Sequence, residues 1–466
     1  MNIASHLVTG PTFEEMLHPS KIEPGLRARA LAARQDAPLD PLNLYNITWR
    51  DPSGRCYYDL LPPELTGVEA RIVVLYGRDF PTGSHKVGAA YAVALERALA
   101  GDLQAGVHTC VWPSTGNYGI GGAWVGGRMG LASIVILPQN MSAERFELLR
   151  HYGAQIITTS GGESHVREVY SACTEMIHQD PHRIRILNQF ESFGNYRFHY
   201  YVTGNTIVEL AAELAQQGIG RGRVAAFVSA MGSAGTIAAG DRLKQVWGDT
   251  RVLGLEPVQC PTLFCNGYGH HDIQGIGDNH VTWIHNVLNM DALMAIDDRE
   301  CLQGLRLLND EVGRKTMIAR YGVPEDAIQR VSSYVGISGV CNILGAIKAA
   351  KYYGLGRDDL VVTICTDASD RYRSVLAQMS ERYGPLDEVQ AAVHLETIFH
   401  RQKLDWVREG TQEARQAWHA LKYFTWVEQL GKRVGELDAQ RSPEYWLAEQ
   451  ARVAEMDQQL LAYRTG

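Results

Sequence analysis

The stretch Gly77-Arg-Asp-Phe-Pro-Thr-Gly-Ser-His-Lys-Val-Gly-Ala-Ala90 joins a predicted strand to a predicted helix. The apolar, β-branched run 71–76 before it is typical of a buried strand, and the alanine-rich run 87–100 after it has helical spacing. A bend at Gly83 places Lys86 in the first helical turn. A lysine there opposes the helix dipole, yet at the carboxyl end of an α/β strand it is well placed for imine chemistry. A solvated lysine in a capped turn is the alternative.

Length and composition indicate an ordinary globular protein. The 466 residues favour two or three domains, and the chain is 45% hydrophobic and 21% charged, with a formal net charge of −8. Because there is no basic stripe, nucleic acid and anionic membranes are not expected as partners. The first ten residues lack a secretory signal and no run of about 18 apolar residues occurs. We therefore expect a cytoplasmic protein.

The cysteines give no sign of a metal site. The eight cysteines are scattered and none forms a CxxC pair. Cys260 and Cys265 are the nearest pair, and without further ligands at suitable spacing they are expected to be two thiols in a loop. Reduced cysteines in apolar runs fit a cytoplasmic enzyme.

Strands and helices alternate from Arg71 to Cys365, which predicts an α/β protein with two doubly wound, mostly parallel sheets and sites at their carboxyl ends. The polar C-terminal part has a helical period and little strand signal, so a helical extension is predicted. The expected divisions are an irregular N-terminal arm (1–66), a large domain (67–104 and 206–384), a small mobile domain (105–205) and the extension (385–466).

Two glycine-rich loops follow predicted strands and begin helices. Pro113-Ser-Thr-Gly-Asn-Tyr-Gly119 offers amides and hydroxyls to a carboxylate or phosphate, although a simple helix cap explains it equally well. Ser229-Ala-Met-Gly-Ser-Ala-Gly-Thr236 keeps side chains out of the way of one phosphate. It lacks the ending of a nucleotide P-loop and an acidic ribose partner, so a small phosphorylated cofactor suits it better.

A third loop, Gln274-Gly-Ile-Gly-Asp278, lies among His270, His271 and His280. These histidines are not at helical ligand spacing, so no metal is expected and substrate contact or a surface position is favoured. A structural turn is the alternative for the loop.

The order of the lysine and these three loops resembles the fold type II pyridoxal-phosphate enzymes, which include cysteine synthase, cystathionine β-synthase, threonine synthase, threonine dehydratase and the tryptophan synthase β subunit. The resemblance runs from about Arg71 to Tyr372. It also includes Asn188-Gln-Phe190, His199, Thr203-Gly204, Glu256-Pro257, Val335-Gly-Ile-Ser-Gly339 and Asp370-Arg-Tyr372.

The resemblance implies a role for each loop. Lys86 would hold pyridoxal 5′-phosphate as an imine and later move the substrate's α-proton, with His85 beside the cofactor. The 5′-phosphate would lie on Gly232, Ser233, Ala234, Gly235 and Thr236. The substrate would contact Ser114, Thr115, Gly116, Asn117, Gln189 and Gly275, and Asn117 would also approach the cofactor's phenolic oxygen.

The partner of the pyridine nitrogen stays open among Thr366, Asp367, Ala368 and Ser369, and Asp367 and Ala368 are the candidate cofactor contacts. An aspartate would keep the ring nitrogen protonated, whereas a hydroxyl would leave it neutral and favour β-elimination or β-replacement. A histidine directly before the lysine, His85, is similar to the pattern of the tryptophan synthase β subunit. The motif from Ser114 to Asn117 is similar to that of cysteine synthase.

These features predict an enzyme that eliminates or replaces the β substituent of a small L-amino acid. A threonine synthase-like or dehydratase-like activity is the alternative within enzymes, and a non-catalytic scaffold or regulatory paralogue is the alternative outside them. The resemblance implies a homodimer.

Overall fold

The computed structural model describes residues 7–114, 116–160 and 166–465. Thr115, one of the expected substrate contacts, lies outside them. Within these ranges the chain forms two separate sheets, of seven and four strands.

The larger sheet has the order β1-β2-β10-β7-β8-β9-β11, and its five central strands are parallel. The edge strands β1 and β11 pair in antiparallel fashion with β2 and β9. Its strands are β1 (Tyr58–Leu60), β2 (Arg71–Tyr76), β7 (Val224–Ala230), β8 (Arg251–Pro257), β9 (Ala292–Ile296), β10 (Leu360–Cys365) and β11 (Val407–Glu409).

The smaller sheet has the order β5-β4-β3-β6 and is wholly parallel. Its strands are β3 (Thr109–Pro113), β4 (Ala132–Pro138), β5 (Gln155–Thr159) and β6 (Ile184–Ile186). Parallel strands bring their carboxyl ends to one edge, which is where the loops expected to bind ligands begin.

Helices connect and cover the strands. The α-helices are α1 (Phe13–Leu17), α2 (Pro24–Asp36), α3 (Pro63–Thr66), α4 (Lys86–Leu99), α5 (Asn117–Met129), α6 (Ala143–His151), α7 (Val166–Gln179), α8 (Phe193–Arg197), α9 (Gly204–Gln216), α10 (Ala239–Val246), α11 (Thr262–Cys265), α12 (Asp298–Asn309), α13 (Glu311–Tyr321), α14 (Glu325–Tyr334), α15 (Ile337–Tyr352), α16 (Arg373–Tyr383), α17 (Glu388–His394), α18 (Gln412–Ala420), α19 (Val434–Ala439) and α20 (Pro443–Thr465). Short 3₁₀ turns lie at Pro19–Lys21, Pro41–Asn46, Thr236–Ala238, Val287–Asn289 and Ser369–Arg371, and π-helical turns at Phe198–Thr203, Leu395–His400 and Phe424–Gln429.

Helix α4 is the buried centre of the molecule. Its residues from Val87 to Leu95 are all buried, and its first residue is Lys86. Small residues allow this burial, because neighbouring elements approach the helix closely: a Cβ added at Gly88 would lie 2.1 Å from the Phe198 ring. Packing on every side therefore holds the position of Lys86.

The two ends of the chain differ from expectation. The arm 1–66 is not mainly irregular, because it contains α1, α2, α3 and β1. The C-terminal part is mostly helical, as predicted, but it also adds β11 to the larger sheet. The ends also meet: Asp457 of α20 accepts hydrogen bonds from the amides of Phe13 and Glu14, at 2.7 and 3.0 Å. Both ends are thus packed onto the α/β core.

All eight cysteines lie in the described ranges and are free thiols, and only Cys265 is exposed. Among the helices of the described ranges, none combines the length and the apolar character needed to cross a membrane.

Substituting Gly88→Ala should lower the free energy of unfolding by about 1–3 kcal/mol, because the new methyl group overpacks against Phe198. Denaturant unfolding measures the change. Gly127→Ala in α5 is the matched control, because nothing lies within 4 Å of its added Cβ, and it should stabilise the protein by about 0.5–1 kcal/mol. Equal effects of the two substitutions would contradict the packing described for α4.

Candidate active site

Lys86 lies where β2 and α4 meet the second glycine-rich loop. The turn after β2 bends at Gly83, which has a φ of +70°, and His85 precedes the first helical residue. The Lys86 Nζ donates a hydrogen bond of 2.9 Å to the Ser233 Oγ. The predicted strand, turn and helix are thus present, and the lysine faces the predicted phosphate loop.

The protein around Lys86 favours the neutral form of its amine. Burial lowers the pKa of Lys86 from 10.5 to about 8, and the negative charge of Asp278 opposes part of this change. The amine is therefore much easier to deprotonate than a surface lysine, as a nucleophilic lysine requires.

The loop from Gly232 to Thr236 has little room for side chains and a strained backbone. Ala234 has a φ of +56°, a left-handed conformation that is unfavourable for a residue with a Cβ. An added Cβ at Gly235 would lie 2.0 Å from the Asn195 Oδ1. Such a curled loop directs successive amides to one point, which is the arrangement that binds a phosphate.

The loop after β3 is organised by Ser114. Its Oγ accepts hydrogen bonds from the amides of Gly116 and Gly119, at 2.9 and 2.8 Å. Gly116 has a φ of +155°. Asn117 donates from its Nδ2 to Asp367 at 2.7 Å, and its Oδ1 accepts from Arg371 at 2.9 Å. The Asn117 amide is thus oriented by two charged residues.

These loops surround two adjoining cavities. Both cavities are lined by Lys86, Gly232, Ser233, Gly275 and Thr366. The first also contacts Ser114, Gly116, Asn117, Tyr118, Gln189, Phe190 and Asp278, and the second Ser229, Ala230, Ala234, Gly235, Thr236, Ile276 and Asn342. We refer to the two cavities together as the cleft.

Three of the expected cofactor contacts are not among the residues that line the cleft. His85 lies behind Lys86, with its ring 5.0 Å from that of His199 and 5.5 Å from that of Trp49. Burial lowers the pKa of both histidines, which are therefore neutral. Asp367 accepts from Asn117 and from the Tyr372 hydroxyl, the latter at 2.8 Å. Ala368 is buried next to Asp367.

Three residues at or near the cleft were not assigned from the sequence. Thr366 had been only one of four candidates, and its Oγ1 lies 3.2 Å from the His85 Nε2. Asp278 lies in the third glycine-rich loop, and the sequence predicts no role for it. Arg145 is fully buried and donates to the Gln274 Oε1 and, at 3.0 Å, to the Tyr372 hydroxyl. Thr366 and Asp278 lie in loops that the sequence pattern places near the site, so the pattern could have identified them. Arg145 lies within helix α6, and no sequence pattern indicates that it reaches the site.

The residues of the cleft fit pyridoxal 5′-phosphate. Lys86 has an amine that is easier to deprotonate than a surface lysine, the loop 232–236 could hold a phosphate, and the loop after β3 lines the same cavity as Lys86. The buried Oδ1 of Asn195 has no hydrogen-bond partner among the described residues, and it borders the cradle at Gly235.

His271 and His280, which lie on either side of the third glycine-rich loop, contact different groups. The His271 Nε2 lies 2.8 Å from the Gly277 carbonyl oxygen, and His280 lies beside Tyr170. In the described ranges, no three His, Cys, Asp or Glu side chains form a group that could hold a metal ion.

Comparisons with known proteins show to which family the chain is similar. A family model described as "Pyridoxal-phosphate dependent enzyme" matches residues 77–367. A probable cysteine synthase of Bacillus subtilis is 30% identical over 295 residues, which are 63% of this chain and 85% of that protein. A cysteine synthase of Staphylococcus aureus is 28% identical over 63% of this chain and 84% of its own length.

Solved structures share the fold. A cysteine synthase of Entamoeba histolytica gives a TM-score of 0.59 at 22% identity and covers 73% of this chain and 92% of its own. O-acetyl serine sulfhydrylase isoform 3 of the same organism gives 0.59 at 24% identity, over 76% and 99% of the two chains. These matches confirm the predicted α/β fold.

Substituting Gly235→Ala should weaken the binding of pyridoxal 5′-phosphate about tenfold or more, because the added Cβ would displace Asn195 or the loop and lose about one hydrogen bond to a charged group. Equilibrium titration of the cofactor-free protein measures the affinity. The matched control is Gly248→Ala, where an added Cβ meets nothing within 4 Å. Unchanged affinity in the Gly235 variant would contradict the assignment of the cradle.

Proposed function

Since this chain belongs to the family of pyridoxal-phosphate-dependent enzymes, we propose that it eliminates or replaces the β substituent of a small L-amino acid, as a cysteine synthase-like lyase or transferase. The observation that carries the proposal is the place of Lys86. Its readily deprotonated amine touches one predicted anion-binding loop and faces the other across the cleft.

Each group of residues in the cleft has its own proposed role in the reaction. Lys86 would hold the cofactor through its amine and would move the proton at the substrate's α carbon. The loop 232–236 binds the 5′-phosphate, and Ser114, Thr115, Gly116 and Asn117 bind the substrate carboxylate. Gln189 and Gly275 complete the substrate's surroundings. The bound cofactor supplies an electron sink for the α carbon.

Thr366 is proposed as the neighbour of the pyridine nitrogen. Its place in the lining of both cavities supports this, whereas Asp367 is engaged by Asn117 and Tyr372 and Ala368 lies outside the lining. A hydroxyl partner leaves the ring nitrogen neutral, which favours β-elimination and β-replacement over reactions that need a stronger electron sink.

The activities of the relatives support β-replacement over the alternatives. The matched proteins carry the names probable cysteine synthase and cysteine synthase. Turnover of threonine or of phosphohomoserine would favour a threonine synthase-like or dehydratase-like enzyme. The scaffold alternative is disfavoured because the lysine and both loops are present together.

We further propose that the enzyme is a cytoplasmic homodimer that acts on a free amino acid and binds no nucleic acid. The net charge of −8 supports the last point. The two sheets support the proposed division into a large domain (67–104 and 206–384) and a small mobile domain (105–205), between the arm (1–66) and the extension (385–466).

The first test is the visible absorption of the holoenzyme, titrated with serine, O-acetylserine, O-phosphoserine, cysteine and threonine. One β-substituted alanine should change the visible band of the cofactor, and Lys86→Ala should show neither the lysine-bound band nor turnover. A Lys86→Ala variant with unchanged activity would refute the role of this lysine.

Covalent attachment of pyridoxal 5′-phosphate should depend on pH through Lys86. Because burial lowers its pKa to about 8, the rate of attachment should rise about tenfold per pH unit up to about pH 8 and then level off. Stopped-flow absorbance of the cofactor-free protein measures this rate. A rate that keeps rising towards pH 10 would show that the amine has the pKa of a solvent-exposed lysine.

A further inference from the structure

A further small cavity lies beside the cleft, where Gly277 and Asp278 of the third glycine-rich loop form part of its lining. It shares Gly232 and Asp278 with the cleft that contains Lys86. We call it the side cavity, and its other lining residues are Met231, Glu256, Thr262, Leu263, Gly277, His280, Val281, Thr282 and His285. A ligand in the side cavity would therefore lie next to the reacting centre.

The side cavity is lined by two carboxyl groups, those of Glu256 and Asp278, and by no lysine or arginine. Glu256 accepts hydrogen bonds from the amides of Leu263 and Phe264, at 2.9 and 2.8 Å. Burial raises the pKa of Glu256 to about 7, so a cation nearby would favour its ionised form.

The two histidines of the lining are neutral. Burial lowers the pKa of His280 to about 4 and that of His285 to about 3. His285 is only 3% exposed, and among the described residues no group hydrogen-bonds its Nε2. A buried ring nitrogen without a partner costs free energy, and a ligand that hydrogen-bonds to it would remove that cost.

We propose that the side cavity binds the ammonium group of the second substrate, so that the incoming nucleophile is a small amine-bearing thiol. The inference rests on the proposed β-replacement and names its nucleophile. Two carboxylates and an unpartnered imidazole nitrogen suit a donor-rich cation. They repel hydrosulfide and thiols that carry a carboxylate instead of an ammonium group.

The reaction balances without a further reagent. The bond from the β carbon to the acetate oxygen of O-acetylserine breaks, and acetate leaves with the electron pair. The sulfur of the thiol forms the new bond to the β carbon, and the thiol proton is released to solvent. The products are a thioether amino acid, acetate and one proton.

Residues of the C-terminal extension hydrogen-bond to the segment 281–285, which lines part of the side cavity. The Lys422 Nζ donates to the carbonyl oxygens of Trp283 and His285, at 3.0 and 2.7 Å. The Trp426 indole donates to the Val281 carbonyl oxygen at 2.8 Å, and its ring lies 6.0 Å from that of His280. Residues from the extension thus fix the segment that shapes the side cavity.

The test compares three thiols of similar length with the holoenzyme and O-acetylserine: cysteamine, mercaptoethanol and mercaptopropionate. Because each thiol has its own reactivity, the quantity compared is kcat/KM of the wild type divided by that of Asp278→Asn. This ratio should be about tenfold larger for cysteamine than for mercaptopropionate. The reason is that the Asp278→Asn variant loses one hydrogen bond between charged groups, and only cysteamine makes it. Asp272→Asn, an exposed carboxylate in the same loop, is the matched control, with equal ratios for all three thiols.

Calorimetry supplies a readout that does not depend on turnover. S-methylcysteamine, which cannot react, should bind the holoenzyme, and His285→Phe should weaken that binding about tenfold. Equal ratios for the three thiols with Asp278→Asn, or calorimetric binding unaffected by His285→Phe, would overturn the proposal. A failure of the proposed function itself looks different: O-acetylserine alone would leave the visible band unchanged and no thiol would be consumed.

Discussion

A buried amine beside a strained glycine-rich loop is the interaction on which the rest of the structure depends. The contact between the Lys86 Nζ and the Ser233 Oγ joins the start of α4 to the loop after β7. Removing a lysine from water is costly, and the lowered pKa of Lys86 is the measure of that cost. The packing of α4, which is buried from Val87 to Leu95, holds Lys86 in place, and Ala234 in the loop beside it adopts a left-handed conformation.

The C-terminal extension supports the cleft although it lies beyond the part of the chain that matches the family. The match ends at residue 367, yet Lys422 and Trp426 bind the backbone of residues 281–285. That segment reaches the cleft, because the Thr282 hydroxyl donates to the Ser233 carbonyl oxygen at 3.1 Å and the Trp283 amide donates to that of Phe190 at 2.9 Å. A continuous set of hydrogen bonds thus runs from the extension to the residue that contacts Lys86.

Much of the fold and part of the site could be predicted because their signals are local. The β-branched run 71–76, the bend at Gly83 and the alanine-rich run after it are β2, a turn and α4 in the structure. The N-terminal arm is expected to be irregular, yet it contains helices. The longest of them, α2, begins at Pro24, a first-turn position that proline favours, so its start signal was present in the sequence. His85 and Asp367 are candidates only through the resemblance to the family, and neither is among the residues that line the cleft.

The sequence by itself determined the α/β architecture, the amine at the start of a helix and the small-residue loops, because hydrophobic periodicity and glycine-dependent turns are properties of adjacent residues. Only the tertiary structure decided that Arg145 crosses to Gln274 and Tyr372, that Thr366 and Asp278 meet Lys86, and that Lys422 braces the segment beside them. These contacts join residues far apart in the chain, and their energies depend on burial and charge, which exist only once the sheets and the extension are packed together.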